Sequence, residues 1–238
     1  AETFREEAEK DAAIRGQYEI VMSILSNYVP NCLVRAEVHC PVDELEIAHL
    51  KGMAAAKKFV QALAIANADV YRATTHNKGI MNGIDSVILA TGNDFRAIEA
   101  GAHAYAARSG NYKSLSNAWI EGDTFHFALE LPLALGTVGG LTKLHPMVKT
   151  ALQILENPSA ETLMKVIACV GLAQNFAAVS SLVTYGIQKG HMKMHLNNIF
   201  NQLGATDEEK QQLTAYFKDK TVSHSEVAEA LTICRKSI

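Results

Sequence analysis

Apolar positions recur along this chain with two different periods, and the two periods occupy different stretches. Period two appears from Leu33 to Cys40, where Val34, Ala36, Val38 and Cys40 face one way and Arg35, Glu37 and His39 the other. It appears again from Thr124 to Leu131, with Phe125, Phe127, Leu129 and Leu131 on one side. Each run predicts a half-buried strand. The run Glu19-Ile20-Val21-Met22-Ser23-Ile24-Leu25-Ser26-Asn27 predicts a buried strand entering a turn that ends at Pro30. Helical spacing covers 43–68 through Leu45, Leu50, Met53, Ala56, Phe59, Val60 and Leu63. Residues 79–91 are ambiguous, because Val87-Ile88-Leu89-Ala90 suits a strand or a buried helix. Asn93-Asp94 predicts a helix start, with the helix running through Phe95, Ile98, His103 and Tyr105 to Arg108 and stopped by Ser109-Gly110-Asn111. Two helices follow, His145 to Glu156 and Ala160 to about Lys189, with Gly190 as punctuation. The last fifty residues read as a small helical unit with a turn and N-cap at Gly204 to Glu209. Residues 1–17 read as the last turns of a helix. Strands and helices are segregated rather than alternating, which predicts an α+β fold.

Composition adds boundaries. Apolar residues make up 48% and charged residues 20% of 238, enough to bury a sizeable core in one large domain. The net charge of −3, with no basic stripe, argues against a nucleic-acid footprint. The longest apolar runs are broken by Pro132, Gly136 and Gly139 or end at Gly92, so no membrane span of about 18–20 residues is expected. The opening residues have neither the basic nor the apolar region of a secretory signal. Cys32, Cys40, Cys169 and Cys234 form no C-x-x-C pair and predict reduced thiols in a cytoplasmic protein. Cys40 and Cys169, among apolar neighbours, are expected to be packing residues.

Three short motifs carry candidate chemistry. Lys78 stands between Asn77 and Gly79, where the backbone can turn tightly and the ammonium can project to stabilise an oxyanion. A solvated loop lysine is the alternative. Asn82 would share a helical face with Lys78 if the stretch is helical. Asp94 follows Gly92-Asn93; it is an N-cap, or a carboxylate that holds a nearby lysine charged and oriented. His191 and His195 are spaced i, i+4, which suits zinc, but Met192 stands where H-E-x-x-H needs its glutamate. A surface pair, or an acid/base histidine at the hinge of a C-terminal unit, remains open beside it. Gly139-Gly140 lacks the G-x-G-x-x-G spacing; it is a weak candidate for cofactor contact or a tight connecting loop.

Taken in order, these motifs resemble the class II (bacterial-type) 3-hydroxy-3-methylglutaryl-CoA (HMG-CoA) reductases. The resemblance runs from about Ile24 to the C-terminus. It is carried by Ile24-Leu25-Ser26-Asn27-Tyr28, Val70-Tyr71-Arg72-Ala73, Thr75 to Asp85, Ala90 to Asp94, Gly101 to Tyr105, Val138-Gly139-Gly140, Gly171 to Asn175 and Gly186 to Met192. It implies reduction of the thioester to mevalonate with two hydrides from NADPH or NADH, or the reverse reaction. It also implies Lys78 at the oxyanion, Asp94 tuning that lysine, and His191 protonating the departing CoA thiolate. Arg72, Ser26, Asn27 and Asn82 fall where the family lines its substrate pocket. The resemblance further implies a homodimer or higher oligomer and a mobile C-terminal flap with Gly190 as hinge.

The family's E-N-x-x-G segment with its catalytic glutamate, and the D-A-M-G-x-N run of its nucleotide-binding domain, do not occur in this chain. Residues 1–17 then read as the tail of a small nucleotide-binding domain, 18–188 as the large substrate-binding domain, and 189–238 as the flap. The chain is expected to be a truncation, a proteolytic product or one chain of a split enzyme that needs a complementary N-terminal chain. A non-catalytic CoA-thioester-binding or dimerisation module is the rival reading.

Overall fold

In the computed structural model, which describes residues 2–140, 144–184, 186–217 and 222–236, both alternating runs become strands of one sheet. β1 (Leu33–Pro41) pairs antiparallel with β5 (Thr124–Pro132), Val34 opposite Leu131 and His39 opposite His126. β4 (Ser116–Glu121) pairs with the other side of β5, giving the order β1-β5-β4. The alternation does what it promised: Val34, Ala36, Phe125, Phe127, Leu129 and Leu131 are buried. Val38 is the exception, 49% exposed near the end of the edge strand. Helix α2 (Gly52–Ala68) and the long helix α6 (Ala160–Val183) cover the apolar side. Phe59 of α2 meets Phe125 and Phe127 edge-on and stacks on Phe176 of α6. Aromatic pairs in these geometries add about 0.5–1.5 kcal/mol each beyond their burial.

The structure departs from the sequence expectations in five places. Residues 19–27 form no strand; Val21, Met22, Ile24 and Leu25 are 73–93% exposed. An apolar run becomes a strand only when a neighbour takes its backbone hydrogen bonds, and among the described residues none does. The helix expected over 43–68 starts only at Gly52. Before it come a 3₁₀ turn (Val42–Glu44) and a short hairpin, β2 (Glu46–Ile47) and β3 (Leu50–Lys51). Ala48 (φ 55°) and Gly52 (φ 57°) are left-handed, a conformation no right-handed helix continues through. The third departure is α6, which by length and composition alone could cross a membrane. Here Leu163, Ile167, Ala168, Leu172 and Val179 pack into the main core instead. Fourth, Cys169 of that helix is exposed rather than packed, while all four cysteines are free thiols. Fifth, the break after α6 falls at Thr184–Gly186, where Gly186 has φ 75°, and Gly190 lies inside α7 (Ile187–Gln202).

The ambiguous stretch 79–91 is helical. It belongs to α3 (Val70–Ala90), a 21-residue helix capped by Asp69, whose carboxylate accepts from Arg72 N at 2.9 Å. α3 runs along α6 and lies closest where side chains are absent. A Cβ on Gly83 would sit 2.7 Å from Gln174 Cβ and 3.0 Å from Val170 O, and one on Gly171 would sit 2.8 Å from Ile84 Cγ1. Gly83 is thus a contact glycine, and Gly79, where a Cβ would stand 3.7 Å from Ala178 Cβ, is an ordinary helix position; neither is a turn glycine. Gly83→Ala gains about 1 kcal/mol of helix propensity but forces the two helices apart, an overpacking cost of about 1–3 kcal/mol. Because the close approaches are to Gln174 Cβ and the Val170 backbone rather than to a flexible tip, the cost lies in the upper part of that range, and a net loss of about 1–2 kcal/mol lowers the unfolding temperature by about 2–8 °C, read by differential scanning calorimetry. An unchanged or raised transition would show that the helices separate freely.

α4 (Phe95–Ala106) and α5 (Pro146–Ile154) follow the expected spans closely. α7, α8 (Asp207–Tyr216) and α9 (His224–Lys236) build a second, smaller core from Leu196, Ile199, Phe200, Leu213, Phe217, Val227 and Leu231. Thr206 and Glu209 form the expected capping box, and Arg235 reaches back to Glu209 at 2.8 Å.

Candidate active site

α3 has two unlike faces. Ala73, His76, Asn77, Ile80, Met81, Ile84 and Ile88 are buried. Tyr71, Thr75, Lys78, Asn82, Ser86 and Leu89 form the exposed stripe. Lys78 has no hydrogen bond or ion pair among the described residues, and Asn82 lies one turn beyond it on the same side. Tyr71 (82% exposed) and Leu89 (57%) stand at the two ends of this stripe. Arg72 is half-buried beside this stripe, and burial pulls its guanidinium below the usual arginine range.

The expectation that Asn77 and Gly79 make a tight turn around Lys78 is corrected: both lie inside the helix. Asn77, fully buried, donates from Nδ2 to Lys113 O at 2.8 Å and accepts from Leu115 N at 3.0 Å. It ties α3 to the segment entering β4, so Lys78 projects from a helix fastened on its opposite side.

A second group gathers at the start of α4. Asp94 is its N-cap, accepting from Arg96 N at 3.0 Å and Ala97 N at 3.3 Å. The Arg96 side chain, then the Ala97 backbone, hold this exposed carboxyl below the usual carboxylate range. Asn93 Oδ1 accepts from Gly136 N at 2.8 Å, which anchors the connection leading to Gly139 and Gly140. Ser26 and Asn27 line a cavity of about 190 Å³ with Ala97, Ile98 and Gly101 of α4. Gly101 gives this segment room, since a Cβ would make a tight contact at 3.1 Å from Asn27 O.

The two groups do not meet within one chain. Lys78 and the end of α3 at Ala90 are twelve residues apart, about 18 Å of helix axis. Asp94 therefore does not hold Lys78 of its own chain, and its cationic partner is Arg96. His191 lies on α7; its side chain is outside the described residues. Gly139 (φ 84°) and Gly140 (φ 47°) form an exposed left-handed turn, and residues 141–143 are outside the described residues.

Sequence reasoning missed the buried polar residues behind Lys78: His76, Ser116 and Asn175. The signal was present. His76 and Asn77 occupy the i, i+3, i+4 stripe with Ala73 and Ile80, which shows once 70–90 is treated as a single helix.

Asp85, also on α3, supplies a pH-dependent effect. Burial first, then hydrogen bonding with and repulsion by Glu99 of α4, raise its carboxyl from 3.8 to about 7. A folded-state pKa above the unfolded one means the folded chain binds the extra proton, so this contribution is fully present below pH ~4 and lost as pH rises through ~7. Asp85→Asn is expected to match the wild type in unfolding temperature at pH 4 and to exceed it at pH 8. Parallel curves across that range would remove Asp85 as the source.

Comparison with known proteins identifies the surroundings of this site. The family model described as hydroxymethylglutaryl-coenzyme A reductase matches residues 3–196. The 3-hydroxy-3-methylglutaryl-coenzyme A reductase of Archaeoglobus fulgidus is 44% identical over 192 residues, 80% of this chain and 43% of that protein. The class II reductase of Streptococcus pneumoniae, solved bound to NADPH in open conformations, superposes with a TM-score of 0.70 at 39% identity, covering 98% of this chain and 56% of that one. A second structure of the Streptococcus pneumoniae reductase gives a TM-score of 0.70 at 41% identity, over 77% and 49%. The chain spans about half the length of these relatives.

Proposed function

Because the chain belongs to the hydroxymethylglutaryl-coenzyme A reductase family, we propose that it carries the lysine, aspartate and histidine of an HMG-CoA reductase. The reaction takes HMG-CoA to mevalonate and free CoA, or runs in reverse. The observation that carries this reading is the exposed Lys78–Asn82 stripe on a helix locked from behind.

NADPH or NADH supplies the two hydrides when bound. Toward that cofactor the residues present fit only one edge: at the Gly139–Gly140 turn a Cβ would meet nothing within 4 Å, so a ligand can approach the backbone. The D-A-M-G-x-N run that the family uses toward the nucleotide does not occur in this chain. Lys78 donates to the thioester oxygen as it becomes an oxyanion in the first reduction, and to the aldehyde oxygen in the second. Arg72 and Asn82 bind and orient the hydroxymethylglutaryl group from the chain that carries Lys78, and Ser26 and Asn27, which lie beside the start of α4, reach it from a second copy. When the hemithioacetal collapses, the C–S bond breaks and His191 gives its proton to the CoA thiolate.

Asp94 enters from a second copy of the chain. The separation along α3 supports this, because the aspartate cannot reach Lys78 of its own chain. In full-length enzyme, mixing Lys78→Ala and Asp94→Ala subunits is expected to restore activity that neither variant has alone. Absence of any recovery from a mixture shown to contain both subunits in one assembly would refute the shared site. Residues 1–17 are then the end of a small nucleotide-binding domain, 18–188 the large domain and 189–238 the flap, in a cytoplasmic enzyme. The reading as a whole is tested by HMG-CoA-dependent oxidation of NADPH and NADH. Binding of HMG-CoA without oxidation, even beside an N-terminal region, would leave only a binding module.

A further inference from the structure

The buried side of α3 holds a polar chain that the proposed reaction does not use. His76 Nε2 lies 2.7 Å from Ser116 Oγ, and Ser116 Oγ donates to Asn175 Oδ1 at 2.7 Å. The three residues are 2%, 2% and 1% exposed and come from α3, β4 and α6. With Asn175 turned so that Oδ1 faces Ser116, counting protons gives the tautomer. Ser114 Oγ donates to Ser116 O at 2.7 Å, and Ser116 Oγ gives its only proton to Asn175. The proton between His76 and Ser116 therefore comes from His76 Nε2. His76 Nδ1 and Asn175 Nδ2 then have no hydrogen-bond partner among the described residues. Burial, with the charge of Arg72 adding to it, lowers the imidazole to about 4 and keeps it neutral.

Unpaired buried polar atoms are a standing cost. Apolar side chains of similar volume often fill such a place with equal or greater stability. Stability therefore does not explain the trio. Directional bonds add to packing a restraint on the rotation of a helix about its axis, and the trio adds its own to that of Asn77. Lys78 is two residues beyond His76, on the other side of the same helix. Turning α3 by about 10° would carry its ammonium about 1 Å, and a misplacement of that size costs about 10²-fold in rate.

We propose that His76, Ser116 and Asn175 are positioning residues that set the rotation of α3 and so aim Lys78 at the reacting oxygen. The inference rests on Lys78 being the oxyanion-binding cation of the proposed reductase.

The test uses full-length enzyme carrying this chain. The triple variant His76→Met, Ser116→Ala, Asn175→Leu is expected to unfold at or above the wild-type temperature. Its kcat for HMG-CoA reduction should fall about 10- to 100-fold with KM changed less than about threefold. His76→Gln, whose Nε2 can still donate to Ser116, should keep kcat within about threefold, whereas His76→Leu should lose more than about tenfold. A triple variant that folds and turns over at the wild-type rate overturns the proposal. So does a triple variant that fails to fold, since the trio would then be a stability element. Lys78→Ala, assayed in parallel, separates the two readings. If Lys78→Ala is inactive and the triple variant is unimpaired, only the positioning role fails. If Lys78→Ala is unimpaired, the assignment of Lys78 fails and the positioning role falls with it.

Discussion

Lys78→Ala in a complete reductase is expected to lower kcat for HMG-CoA reduction by about 10³-fold while leaving the unfolding temperature unchanged. The two halves of that expectation have separate grounds. Lys78 is exposed and makes no hydrogen bond or ion pair among the described residues, so its removal leaves no buried partner unsatisfied. Surface changes of that kind stay within about 0.5 kcal/mol. The kinetic loss comes from the transition state. Hydride addition places a full negative charge on a carbonyl oxygen, and loss of a single preorganised donor to such an oxygen costs about 10²–10³ in kcat. A cation adds charge neutralisation to the hydrogen bond, which puts the effect at the upper end. Because the charge exists only after hydride addition begins, kcat should fall more than KM rises. Steady-state kinetics beside a thermal melt decide it: a variant with wild-type kcat means that Lys78 is a solvated surface lysine.

His191→Ala is expected to give the second-largest effect, and a selective one. Thioester reduction should fall by about 10²–10⁴-fold, whereas reduction of free mevaldehyde should fall far less. The difference lies in what leaves. A thiolate departs more readily when a proton is delivered as the C–S bond breaks, and an imidazole is a side chain suited to delivering it. Aldehyde reduction has no thiolate to protonate. His191 stands on α7, the first helix after the break at Thr184–Gly186, and α7 packs into the separate C-terminal core. Equal losses on both substrates would assign His191 to general site architecture rather than to the leaving group.

The parts of the fold that could be read from the sequence are those where a local pattern records a one-sided environment. Leu33–Cys40 and Thr124–Leu131 alternate because one face of the sheet is covered by α2 and α6, and nothing distant is needed to see it. The apolar run at 19–27 misled because hydrophobicity states that a segment wants a partner, not whether one is present. α3 was harder to recognise as one helix because Asn77, Gly79 and Gly83 look like turn residues. Their reasons are remote in sequence: Gly83 makes room for Val170 and Gln174, and Asn77 holds the backbone at Lys113 and Leu115. Gly186 and Gly190 are indistinguishable as letters, and only the left-handed backbone at Gly186 marks the true break. The site shows the same division. The Lys78 and Asp94 motifs were each visible, whereas the continuous helix that sets Lys78 about 18 Å from the end of α3 was not. The trio behind Lys78 joins three elements and has no local signature at all.

The most direct test of the central claim is the stoichiometry of HMG-CoA-dependent NADPH oxidation, followed together with release of CoA thiol. The chain is measured alone and mixed with an N-terminal region that carries the glutamate and nucleotide motifs. Oxidation is expected only in the mixture, with two nicotinamides consumed for every thiol released. A folded chain that binds HMG-CoA in the mixture yet oxidises no NADPH would contradict it.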